Sequence, residues 1–138
     1  MRIISLQGKA DSGKTTTIKM LETIMLQNNY TAIPGKREGR GKDFLDIFLD
    51  SNRKKVGVTS SGDTYDLVTD KLQTLVSEKC DVCICACRTF DRKPPGTVAA
   101  TKQFPKYTNE YVKKTVSPTK AQQPIDNSKD ANILFSKI

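Results

Sequence analysis

The chain has 138 residues, a net charge of +8 from 23 Lys and Arg against 15 Asp and Glu, and neither His nor Trp; its length suits a single core. Without His there is no imidazole acid–base chemistry, no Ser-His-Asp triad and no His-ligated zinc or haem, and 36% hydrophobic with 28% charged residues is neither fibrous nor disordered. No run approaches the roughly 18 apolar residues of a membrane span, and the first apolar run is too short for a secretory signal, so a cytoplasmic protein with no membrane partner is expected.

In chain order, RIISLQ reads as a buried strand ending at Gly8. From Lys14 to about Gln27, Ile18, Leu21, Ile24 and Met25 recur at steps of three and four, which predicts a helix stopped by Asn28 and Asn29. Tyr30 to Ile33 is a short extended piece closed by Pro34, and PGKREGRGKD is an exposed basic loop. DFLDIFLD and KKVGVTS flank Ser51-Asn52-Arg53 as a hairpin; helical spacing fits the first arm nearly as well as alternation does. Asp63 stands as the cap of a second helix whose stripe is Leu67, Val68, Leu72, Leu75 and Val76. DVCICACR is a further strand and RTFDRKPPGT a loop.

After Val98 the pattern weakens. With Pro105, Pro118 and Pro124 among many polar residues, 101–130 is expected to wrap the surface. DANILFSKI then forms a short helix, with Ile133, Leu134 and Ile138 packing back. This divides the chain into a domain at 1–117 and a C-terminal extension at 118–138.

Charge is uneven: residues 1–90 hold 14 basic and 11 acidic side chains, residues 91–138 hold 9 and 4. A positive face attracts phosphates, on nucleotides or on nucleic acid. Cys83, Cys85 and Cys87 alternate with Ile84 and Ala86, so they share one strand face, and with Cys80 they are expected to pack as small hydrophobes.

Gly8-Lys9-Ala10-Asp11-Ser12-Gly13-Lys14-Thr15 matches G-x-x-x-x-G-K-[ST] at every fixed position, between an apolar strand and an amphipathic helix. The glycines let the chain wrap its N–H groups into a nest for phosphate oxygens, and the helix adds its positive end. Lys14 would reach the β- and γ-phosphates, Thr15 would offer its hydroxyl to Mg2+, and the nucleotide-holding set is Gly8 to Thr16.

On these residues the chain resembles the P-loop (Walker A) NTPases. The resemblance implies an α/β fold: a three-layer α/β/α sandwich with a mostly parallel sheet, here with one antiparallel hairpin, binding a nucleoside triphosphate with Mg2+. ADSGKTTT is similar to the P-loop of translation-factor GTPases, and a hairpin before the second helix resembles the Ras-like order. The guanine-reading N-K-x-D does not occur, and Thr59-Ser60-Ser61-Gly62-Asp63 stands where a DxxG would, so ATP is the expected nucleotide.

A second acid should support the metal. Asp63 is preferred over the alternative Asp50, since a strand ending at Ser60 and leading into a helix delivers Asp63 to the edge where ligands bind; helix capping alone is the competing reading of Asp63. Arg88 and Arg92, past the cysteine strand, are candidates for neutralising charge on a transferred phosphoryl group. Arg37, Arg40 and Lys42 are candidates for a second, phosphate-bearing substrate. Glu38, Glu78 and Glu110 are possible water-activating groups, and no spacing selects one.

Three functions follow. The first is a minimal Mg-dependent NTPase completed by an oligomeric partner or an activating protein. The second is a small nucleotide or nucleoside kinase-like phosphotransferase using the loops at 34–42 and 88–97. The third is a nucleotide-binding nucleic-acid or assembly module, with Tyr107 and Tyr111 among Lys106, Lys113 and Lys114.

Overall fold

The computed structural model describes residues 1–39, 43–91 and 93–138; Arg40, Lys42 and Arg92, named above, lie outside them. The fold is mixed α/β: a six-stranded, mostly parallel sheet and, among the described residues, four helices. In chain order these are β1 (Arg2–Gln7), α1 (Lys14–Gln27), β2 (Thr31–Ala32), β3 (Leu45–Leu49), β4 (Lys55–Thr59), α2 (Tyr65–Ser77), β5 (Val82–Cys87), α3 (Thr97–Thr101), β6 (Thr108–Lys113) and α4 (Gln123–Ser136). The strand order is β2-β3-β4-β5-β1-β6.

β1 is apolar because both its edges and both its faces are covered, as parallel strands require. It pairs in parallel with β5, Ile4 opposite Ile84, and with β6, Ile4 opposite Glu110. β3 and β4 form the expected antiparallel hairpin, so alternation and not helical spacing decides Leu45–Leu49. Asp50 closes its turn by accepting the N–H groups of Asn52 and Lys54, both at 2.8 Å.

The two faces of the sheet bury separate apolar clusters. One holds Ile4, Leu6 and Ile84 with Ile18, Leu21 and Met25 of α1 and Ala131 and Leu134 of α4. The other holds Ile3, Cys83 and Cys85 with Val68, Leu72 and Leu75 of α2 and Ala100 of α3. All four cysteines are buried, as expected of core packing, and burial pushes the Cys85 thiol up to about 11.

The region after Val98 is more ordered than its composition suggests. Thr108–Lys113 is an edge strand, and 123–136 is a full four-turn helix rather than a short terminal one. Pro124 lies in the first turn of α4, where its missing N–H has no partner to lose. α4 packs along α1, and Ile133 and Ile138 lie against the same core, as predicted. Among the described residues no helix is long and apolar enough to cross a membrane.

Candidate functional site

The site grows out of the carboxyl end of β1, the edge at which open α/β sheets present ligands. β1 ends with Gly8 donating its N–H to Cys87 of β5 at 3.1 Å. The loop then folds on itself, Ser12 Oγ donating to the Lys9 carbonyl at 2.8 Å. Asp11 has φ +57° and Gly13 φ +93°, so the chain makes two left-handed steps before α1 begins. Such steps turn successive N–H groups toward one concavity. Among the described residues, no backbone N–H from Lys9 to Thr16 finds an acceptor inside the chain.

Lys14 lies across this loop. It is only 8% exposed, and its Nζ donates to the carbonyls of Gly8 at 2.8 Å and Lys9 at 2.5 Å. Burial lowers its pKa and the nearby Arg88 charge lowers it further. A desolvated cation among unpaired donors makes a strong anion trap.

Three clefts surround the loop. One of about 460 Å3 is lined by Lys14, Thr15, Thr16, Asp63, Asp43 and Ser60, among others. The predicted metal-supporting pair, Thr15 and Asp63, both line it, as does Asp43. A second of about 590 Å3 lies on the other side, between Gly8–Ser12 and residues 113–120. The third, about 850 Å3, is lined by Asp63, Tyr65, Arg88, Phe90 and Lys93.

Asp63 does not cap α2. Thr64 does, accepting the Leu67 N–H at 3.2 Å, which leaves Asp63 exposed and paired with Arg88 at 3.3 Å. Arg88 also carries a buried Nε that has no hydrogen-bond partner among the described residues. Asp50 lies at the end of the sheet away from the loop, because β3 runs antiparallel to β4; it holds its own turn and is not brought to the site.

Other candidates are occupied elsewhere. Arg37 pairs with Asp46 at 2.6 Å and Glu22 at 3.6 Å and lies over the Phe44 ring. Tyr107 is buried with its hydroxyl on the Cys80 carbonyl, Tyr111 bonds Thr101, and Lys114 is buried against Asp130 at 2.9 Å. Glu38, Glu78 and Glu110 pair with Lys71, Lys36 and Lys137.

Sequence reasoning missed the contribution of the C-terminal segment. A Cβ on Gly8 would meet Lys114 Cβ at 2.9 Å, and one on Gly13 would meet Asn127 Oδ1 at 2.7 Å and Gln123 Nε2 at 3.2 Å. Both loop glycines therefore lie against residues from the end of the chain. No local pattern signals such a contact, although Asn127, Asp126 and Asp130 share one side of α4 at steps of three and four. Compared with family models, curated proteins and solved structures, the chain matches none.

Proposed function

We propose that this chain binds a nucleoside triphosphate, ATP by default, with Mg2+ at the β1–α1 junction and hydrolyses its terminal phosphate, on a three-layer sandwich of the P-loop NTPase kind. One observation carries the reading: the G-x-x-x-x-G-K-T segment forms a strand–loop–helix turn in which the N–H groups from Lys9 to Thr15 lack acceptors among the described residues and across which Lys14 lies buried. An arriving polyphosphate would take the place of the Gly8 and Lys9 carbonyls on Lys14, an exchange of partners in a site already desolvated.

The residues present suit a magnesium ion: Thr15 and Asp63 would hold it, with Asp43 on the same cleft. Bound there, Mg2+ neutralises charge on the phosphate oxygens. Arg88, half-exposed and tied to Asp63 by one weak surface pair, would turn to the phosphoryl group under transfer. The 850 Å3 cleft beyond that pair favours a second reading, transfer to a small acceptor in place of water.

Excess Mg-ATP, at about a hundred times Kd, should raise the melting temperature by roughly 5 °C or more. Lys14→Ala should abolish that rise, and an equal rise in the variant would refute the phosphate-loop reading. Phosphate release without an acceptor supports hydrolysis; transfer that needs a nucleotide or nucleoside supports the second reading.

A further inference from the structure

We propose that the first turns of α4 are a working part of the phosphate site, Gln123 donating its side-chain amide to a bound phosphate oxygen and Asn127 positioning the Gly13 turn; this rests on the phosphate-loop reading above. α1 and α4 begin at the same place. Gly13, which opens α1, is within contact of Gln123 and Asn127, which belong to the first five residues of α4. At their other ends Tyr30, beyond α1, meets Phe135 of α4 edge-on, so the helices run side by side in the same direction. Both positive ends therefore face the loop, and two such ends favour an anion more than one does.

Two side chains turn that placement into a site. Asn127 is 3% exposed, yet among the described residues its Oδ1 has no hydrogen-bond partner. An amide oxygen accepts and does not donate, so it pairs with no phosphate oxygen, and Asn127 acts on the turn rather than on the ligand. That oxygen sits against the one loop residue whose φ is +93°, where any side chain would collide with it. Gln123, one turn earlier, makes no side-chain hydrogen bond among the described residues and lines both the 460 and the 590 Å3 clefts, as do Asp11 and Ser12. Its amide thus stands where phosphates held by the loop would pass from one cleft to the other.

α4 is held firmly enough to do this. Asp130 accepts from Lys114 Nζ, the Thr115 N–H and the Thr115 hydroxyl, while the Lys114 N–H bonds the Gln7 carbonyl at 2.7 Å. That chain of contacts joins α4 to the last residue of β1.

The test measures the affinity of the full-length protein for Mg-ATP and for inorganic tripolyphosphate by calorimetry, beside the melting temperature without ligand. Gln123→Met keeps the volume and removes the donors. It should weaken both ligands by about tenfold, the usual loss for one hydrogen bond to a charged group, and leave the ligand-free melting temperature unchanged. Gln123→Glu should weaken them further, and Asn127→Ala by a similar factor. If Asn127→Ala does not fold, the two Gln123 variants decide. Variants that bind both ligands within twofold of the parent, while Lys14→Ala binds neither, would reduce α4 to a support and leave the phosphate loop standing. A parent protein that binds neither ligand would remove both readings.

Discussion

Two strand-to-helix junctions leave the same edge of the sheet, β1 into α1 and β4 into α2, and they are finished in opposite ways. At the second, Thr64 is extended, its hydroxyl takes the Leu67 N–H, and Asp66 adds negative charge to the first turn. At the first, a left-handed Gly13 offers no side-chain cap, no acid follows, and a lysine occupies the first helical position. A helix end needs partners for its free N–H groups and favours negative charge beside them. α2 carries its own partners, whereas α1 leaves the place open, and the surrounding clefts give an anion access to it.

The contrast can be broken from several directions. The largest effect should come from Asp130→Ala, which leaves the Lys114 ammonium buried and unpaired beside the open junction. A loss of about 4 kcal/mol is expected from a broken buried pair, read as a lower urea midpoint. Asp130→Ala should also weaken Mg-ATP binding, since Lys114 lies against Gly8.

Next is Glu22, inside α1, whose carboxyl is pushed up to about 7 by burial first and by Asp46 second, against the pull of Arg37. The folded chain holds this proton more tightly than the unfolded chain, whose ordinary value is near 4.5. The stabilisation is therefore complete below about pH 4.5 and lost as pH rises through about 7, on the order of 3 kcal/mol in all. Glu22→Gln should flatten that slope and leave the N–H groups at the start of α1 unchanged, so equal slopes in both proteins would refute it. Smaller again is Asp63→Asn, expected to raise the Mg2+ concentration for half-maximal ATP binding about tenfold.

The smallest effect tests the closed junction alone. Thr64→Ala should cost about 1 kcal/mol of stability, as the loss of one cap does, with nucleotide affinity unchanged. A fall in affinity would mean that the two junctions are not independent.

What could be read from the sequence follows from burial on two sides. β1, β5 and α1 are covered by neighbours and show it as apolar runs or stripes, and the phosphate-loop pattern lies between two of them. β6 is an edge strand in which Val112 is the one buried residue of TNEYVK, so no alternation stands out. The start of α4 was hidden by Pro124, a helix breaker elsewhere and harmless in a first turn, and by acids that are buried because Lys114, Thr115 and Ser117 pair with them. Sequence alone leaves Asp63 open between metal support and capping; the cap falls to its neighbour Thr64, which has the extended backbone and the reach. The contacts of Gln123 and Asn127 with Gly13 leave no trace in spacing, because they join the two ends of the chain.

That closure has a consequence for synthesis. Gly8 and Gly13 are made before the side chains that wall them in, Lys114 and Asn127, which come more than a hundred positions later. β1 itself lies between β5 and β6, both drawn from the later part of the chain. A growing polypeptide orders its N-terminal parts first where local contacts allow, and here they do not. The loop is written before its walls, so in a nascent chain the β1–α1 junction stays incomplete until α4 has emerged and docked.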